Sequence, residues 1–84
     1  MSGERVESVA VVGAGSWGTA FAVHLAERHP DVSLWAYEAE VCSGMLRSRE
    51  NRAFLPGVPL PAAVRPTNDL AAAVSGRAVV AFRS

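Results

Sequence analysis

The stretch Gly13-Ala14-Gly15-Ser16-Trp17-Gly18 constrains this chain more than any other. It follows the apolar run Val9-Ala10-Val11-Val12 and opens a segment of helical periodicity. Strand, then Gly-x-Gly-x-x-Gly, then helix is the order of a dinucleotide-binding turn. Gly13 lets the chain turn sharply out of the strand. Gly15 has no Cβ to hold a pyrophosphate away from the backbone, and Gly18 lets the helix approach the sheet. The unpaired N–H groups of the first helical turn, together with the helix dipole, then favour phosphate. A glycine-rich turn alone is weak evidence. Here the strand lies directly upstream, the helix directly downstream, and a carboxylate, Glu38, follows 20 residues after Gly18 at the end of a second apolar run.

The chain has 84 residues, 50% of them hydrophobic, and a formal charge of +0, which suits one small domain. Its charges are scattered, whereas a nucleic-acid surface needs a clustered basic face. All 8 basic residues are arginine, and lysine is absent. One cysteine excludes an internal disulfide and fits a reducing compartment. The start, Met1 to Glu7, is polar and of mixed charge, without the apolar core of a signal peptide, and no run approaches membrane-spanning length. The expectation is a cytoplasmic protein.

Residues 8–12 read as a central parallel strand, with a continuous apolar run at 9–12 as expected when both faces are covered. A first helix is expected over 16–28, with Trp17, Ala20, Phe21 and Leu25 as its inward stripe, widened by Ala22, Val23 and Ala26. His29-Pro30 stops it, and Asp31 helps the turn. A second strand follows at 32–36. A second helix at 39–50 would bury Val41, Cys42, Met45 and Leu46 and expose Arg47, Arg49 and Glu50; Gly44 weakens it by roughly 1 kcal/mol relative to alanine. The stretch Asn51 to Pro61, with three prolines in its last six residues, reads as an extended, semi-rigid loop excluded from helix and regular ladder alike. Residues 64–67 form a short third strand, which Pro66 assigns to a sheet edge. Thr67 or Asn68 caps a short helix over 69–74, and residues 78–82 make a fourth apolar strand. The fold class is therefore α/β, a Rossmann-type three-layer fold with a parallel sheet of order 3-2-1-4. The sheet stops after its fourth strand, with nothing to cover that strand's edge. The expectation is a partial N-terminal NAD(P)-binding domain over 1–84, with a C-terminal substrate domain absent.

Three motifs in order resemble the NAD(P)-dependent sn-glycerol-3-phosphate dehydrogenase family. They are Gly13 to Ala20 followed by Leu34-Trp35-Ala36, the Asn-x-x-aromatic-Leu-Pro-Gly-Val-x-Leu-Pro pattern of Asn51 to Pro61, and Thr67-Asn68-Asp69-Leu70. The resemblance spans residues 8–82 and matches the front quarter or so of a family member. It implies reduction of dihydroxyacetone phosphate to glycerol 3-phosphate, a phospholipid precursor, by hydride transfer from a nicotinamide. It implies that Gly13, Ala14, Gly15 and Gly18 form the phosphate turn, that Ser16 and Trp17 contact the phosphates and adjoining sugar, and that Tyr37 and Glu38 lie at the adenosine end. The family's catalytic and substrate-binding lysines and its helical domain lie past Ser84, so the chain alone is expected not to turn over substrate. Two positions depart from the family. Tyr37 stands where many members carry Arg or His, which removes one partner for a 2′-phosphate. Arg83 stands where a proline usually ends the fourth strand.

Each residue also has a plainer reading. Glu38 either accepts from the adenosine ribose hydroxyls or is a solvated helix-start carboxylate favoured by the dipole. Facing a 2′-phosphate about 4 Å away it would cost about 1 kcal/mol in water and nearer 4 at an effective dielectric of 20, so NAD is favoured over NADP. Asp31 and Glu40 are rivals, but one precedes the strand and the other lies inside the helix. Trp17 covers the pyrophosphate, fills helix core, or does both. Phe54 either walls the cofactor cleft or plugs the core under its loop. Cys42 reads as a buried, inert thiol, and His24 and His29 as surface or helix-end residues. Ser16 has no sequence-local base and reads as a helix-start phosphate donor, not a nucleophile. No metal-ligand spacing occurs. Two alternatives stand beside the resemblance. One is the front part of another dehydrogenase, of ketopantoate reductase or 6-phosphogluconate dehydrogenase type. The other is a non-catalytic module that offers its bare strand edge to a partner. The partners expected are a nicotinamide dinucleotide and, with a further domain, dihydroxyacetone phosphate or glycerol 3-phosphate, with no nucleic acid and no membrane insertion. A homodimer is one arrangement open to a full-length form.

Overall fold

The computed structural model describes residues 8–81; the sequence expectations for Phe82 and Arg83 lie outside these. Strand β1 (Ser8–Val12) leads into helix α1 (Ser16–Leu25), strand β2 (Asp31–Trp35) and helix α2 (Ala39–Ser48). The short strands β3 (Glu50–Asn51) and β4 (Leu55–Pro59) follow, then β5 (Val64–Thr67), helix α3 (Leu70–Val74) and β6 (Ala78–Ala81). The main sheet is parallel throughout, in the order β5-β2-β1-β6. This is the expected 3-2-1-4 order, because β3 and β4 pair with each other outside it. Helix α1 packs on β1 and β2, α2 on β5, and α3 on β1 and β2.

The middle of β1 is buried on both faces at Val9, Ala10 and Val11, as a continuous apolar run requires. The core joins these strands to Ala22 of α1, Cys42 and Met45 of α2, and Leu60 and Val64 beyond them. Burial raises the Cys42 thiol above its ordinary value, which matches an inert packing residue. No helix among the described residues is long and apolar enough to cross a membrane.

Several local expectations change. Helix α1 ends at Leu25, and its last residues tighten: Arg28 N–H donates to the Leu25 carbonyl at 2.9 Å. Its inward face is Gly18, Thr19 and Ala22, whereas Ala20 is exposed and Trp17 is 81% exposed. Phe21, Val23, Leu25 and Ala26 pack partly buried against the core as expected, while the small Gly18, Thr19 and Ala22 take the fully buried positions and Trp17 faces out. On α2, Leu46 is exposed. Arg49 takes φ 54, caps the helix in the left-handed conformation and turns its guanidinium inward. There its Nη2 donates to the carbonyls of Pro61 and Val64, both at 2.8 Å. The proline-rich stretch is not an unpaired loop. Residues 55–59 pair antiparallel with 50–51 across an irregular register, and the Glu50 carboxylate accepts from Gly57 N–H at 2.8 Å. A two-residue partner asks few N–H groups of its neighbour, so the prolines are tolerated at this isolated edge. The cap of α3 is Asp69, whose Oδ1 accepts from Ala72 N–H at 3.1 Å. Thr67 Oγ1 instead accepts from Asp69 N–H.

At the amino end of the sheet, Asp31 joins all four strands. It pairs with Arg65 of β5 at 3.0 Å and with Arg77, just before β6, at 2.6 Å, and Ser8 of β1 donates to it at 3.2 Å. Burial raises the Asp31 carboxyl, but the Arg77 hydrogen bond, the two guanidinium charges and Ser8 outweigh that and hold it below 3.8. A depressed carboxylate contributes stability above its ordinary value, and that contribution disappears as pH falls through the folded value. Resistance of the wild-type chain to urea unfolding is therefore expected to fall steadily below about pH 4, and Asp31→Asn to show a shallower acid limb.

Candidate functional site

The carboxyl ends of β1 and β2 open into a cleft of about 350 Å³. This is the end at which parallel α/β sheets hold ligands. Its floor is the turn Gly13-Ala14-Gly15, reached from Val12. One side is Trp35, Ala36, Tyr37 and Glu38; Val41 and Phe54 complete the wall. The turn is tied to β2 by Gly13 N–H, which donates to the Trp35 carbonyl at 3.1 Å.

The glycines separate by what constrains them. Gly13 has φ 114, a conformation that a side chain rarely adopts. Gly15 has φ −76 and ψ −169, which any residue adopts, and a Cβ built there would meet nothing within 4 Å. The protein itself has no need of glycine at 15; only a ligand lying against that backbone would. Gly18 is buried where α1 meets the sheet.

Tyr37 is exposed and stands edge-on to Trp35, with ring centroids 6.0 Å apart. Glu38 is the N-cap residue of α2, and its carbonyl accepts from Val41 and Cys42 N–H. Its exposed carboxylate makes no capping bond, and no ion pair holds it among the described residues. Asp31 is at the far end of the sheet, engaged with its arginines. Ser16, the first residue of α1, donates its hydroxyl to the Phe54 carbonyl at 2.6 Å. That proton is committed to the loop. Trp17 stands exposed in the first turn of α1, outside the cleft lining. Phe54 lies on the cleft wall, half-exposed, and not among the core residues under its loop.

Two asparagines that sequence periodicity leaves unmarked support these walls. Asn68 donates to the carbonyls of Ala36 and Tyr37, both at 3.0 Å, and its own carbonyl accepts from Trp35 Nε1. It therefore holds the turn carrying Tyr37 and Glu38. Asn51 lies buried behind the turn Gly13-Ala14-Gly15, bonded to Ala14, Thr19 and Phe54. No group of three or more His, Cys, Asp or Glu among the described residues could hold a metal ion.

Comparison with known proteins agrees with this geometry. The profile of the NAD-dependent glycerol-3-phosphate dehydrogenase N-terminus matches residues 8–83. The chain is 50% identical over 74 residues to a glycerol-3-phosphate dehydrogenase [NAD(P)+] of Moorella thermoacetica, covering 88% of this chain and 22% of that protein. It is 46% identical over 78 residues to the protein of the same name from Geobacter metallireducens, covering 93% of this chain and 23% of that one. A crystal structure of glycerol-3-phosphate dehydrogenase from Coxiella burnetii superposes with a TM-score of 0.84 at 35% identity, over 90% of this chain and 24% of the other. A solved structure of the glycerol-3-phosphate dehydrogenase of Saccharomyces cerevisiae gives 0.81 at 26% identity, over 93% of this chain and 26% of the other. The chain thus spans less than a quarter of the length of these two curated relatives, 22% and 23%. The match displaces the other dehydrogenase types that share such a front domain: the chain belongs to the NAD-dependent glycerol-3-phosphate dehydrogenase family and corresponds to its N-terminal, NAD-binding part.

Proposed function

We propose that the cleft holds a nicotinamide dinucleotide, with its pyrophosphate over Gly13, Ala14 and Gly15 and its adenosine beside Tyr37 and Glu38. The observation that carries this is the open space at Gly15: a bare backbone at a cleft floor, in a conformation that would accept a side chain. The backbone N–H groups of Ser16 and Trp17, in the first turn of α1, would take the phosphate oxygens with the help of the dipole. Trp17 would lie beside the sugar at the mouth of the site. The nicotinamide supplies the hydride, and this chain contributes binding and orientation. Together with a substrate domain such as its longer relatives have room for, the activity would be reduction of dihydroxyacetone phosphate to glycerol 3-phosphate. The chain has no lysine, so the lysine roles implied by the family resemblance have no counterpart in it. Binding without turnover is its expected behaviour alone.

Glu38 decides between the two nicotinamide cofactors. Its carboxylate suits ribose hydroxyls and repels a 2′-phosphate by about 1 to 4 kcal/mol, depending on the effective dielectric. Calorimetric titration is expected to show NADH binding at least about tenfold tighter than NADPH. Glu38→Arg should erase or invert that ratio. Equal affinities in the wild-type chain would remove Glu38 from cofactor selection, and no saturable binding of either would defeat the cofactor reading itself.

A further inference from the structure

Asn51 is 1% exposed and lies outside the cleft lining. Its Nδ2 donates to the Ala14 carbonyl and to Thr19 Oγ1, both at 2.8 Å, and its Oδ1 accepts from Phe54 N–H at 3.2 Å. The partners fix which way round the amide sits, since a carbonyl only accepts and a backbone N–H only donates. One side chain therefore binds the turn after β1, helix α1 and the turn over 52–54 that brings Phe54 to the cleft. The Ser16 hydroxyl completes the attachment from the other side by holding the Phe54 carbonyl. Phe54 is thus gripped at both its N–H and its C=O. The Ala14 bond has a further consequence. The Ala14 carbonyl and the Gly15 N–H belong to one planar trans peptide and point in opposite directions. Drawing the carbonyl back onto Asn51 fixes the Gly15 N–H facing away from it.

We propose that Asn51 is a positioning residue of the dinucleotide site, setting the plane of the Ala14–Gly15 peptide and its separation from the Phe54 wall; this rests on the cofactor reading above. Asn51 touches no ligand. It acts through the peptide that faces the pyrophosphate and through the aromatic ring opposite. Pre-orientation of this kind strengthens binding because the donors need no rearrangement when the ligand arrives.

The test is Asn51→Asp, titrated with ADP-ribose, which carries the adenosine and the pyrophosphate without the nicotinamide. The ionised carboxylate keeps the bond to Phe54 N–H but sets an oxygen against the Ala14 carbonyl where a donor is required. At about pH 8 the affinity should fall about tenfold to a hundredfold. Burial raises the pKa of the introduced carboxyl, so it takes up a proton as the solution is made more acid. Its O–H then donates to Ala14, and the Thr19 hydroxyl turns to donate to that same oxygen, which stands where Nδ2 stood, while the other oxygen keeps Phe54 N–H. Binding should return to within about threefold of the wild-type value at the same pH. The charged groups around the position are Glu50 and Arg52 on its own segment and Glu40 and Arg47 on α2, while the turn 13–16 and Thr19 bring none. The wild-type chain titrated at each pH accounts for them.

Far-ultraviolet circular dichroism at each pH follows the fold. A defect that is only structural would track lost ellipticity and show no recovery of binding in acid, and that result overturns the proposal. Equal binding by variant and wild type at the upper pH overturns it too. Should Asn51→Asp fail to fold, Asn51→Ser decides: its hydroxyl is too short to reach both Ala14 and Phe54, and undiminished ADP-ribose binding ends the proposal. Wild-type chain that binds no ADP-ribose would instead count against the cofactor reading, a result separable from all of these.

Discussion

Replacing Gly15 with valine is expected to abolish measurable dinucleotide binding while leaving the fold intact. The backbone there is extended, so a β-branched residue fits without strain, and the added Cβ meets no protein atom within 4 Å. The unfolding free energy should change by no more than about 0.5 kcal/mol. The side chain would occupy the space a pyrophosphate needs, and the affinity for NADH should drop at least a hundredfold, about 2.7 kcal/mol. Gly13→Ala makes the contrasting case. With φ 114 at that position, the added methyl strains the turn itself, and the chain should lose about 1 to 2 kcal/mol of stability. Calorimetry for binding and urea titration for stability separate the two. A Gly15→Val chain that binds NADH like wild type would show that this backbone does not receive phosphate.

The largest loss of stability is expected at the other end of the sheet. Asp31→Ala leaves two arginines facing each other without their carboxylate. Arg77 has a side chain only 14% exposed, and its Nε is already buried without a partner; Arg65 is 62% exposed. Breaking a fully buried pair costs about 3 to 5 kcal/mol. Asp31 is partly solvated, so about 2 kcal/mol is expected, or a melting temperature lower by about 10 °C in a domain this small. Arg65→Met should cost under about 1 kcal/mol because its pair is screened by water. The order of the two melting temperatures is the check. If both variants melt within about 2 °C of wild type, Asp31 is not the fastening of the four strands.

Much of the architecture is legible in the residues because it depends on local signals. The apolar run Val9 to Val12 reads as a strand covered on both faces, and the expected bounds 8–12 agree with β1 to the residue. Pro66 requires an edge position, and β5 lies at the edge of the sheet. Elsewhere the local signal points the wrong way. Trp17 falls on the helical repeat of Phe21 and Leu25, yet close approach of α1 to the sheet selects Gly18 and Ala22 for the interface. Arg49 reads as one more exposed helical arginine until the left-handed turn at that residue swings it inward. The prolines over 56–61 hide a short ladder because no local rule says that residues 50–51 will lie opposite.

Three things follow from the sequence alone: a parallel α/β sheet, a glycine turn between its first strand and first helix, and a carboxylate at the end of its second strand. They follow because strand, turn and helix signals act over a few residues, within reach of periodicity and backbone sterics. Tertiary structure decided what stands behind that turn. Asn51 and Thr19 are 32 residues apart and Ser16 and Phe54 are 38 apart; Arg77 reaches Asp31 across 46. Such bonds depend on where crossovers bring distant backbone together. Hydrogen bonding is satisfied by whatever partner the packing delivers, and no spacing along the chain records which partner that is.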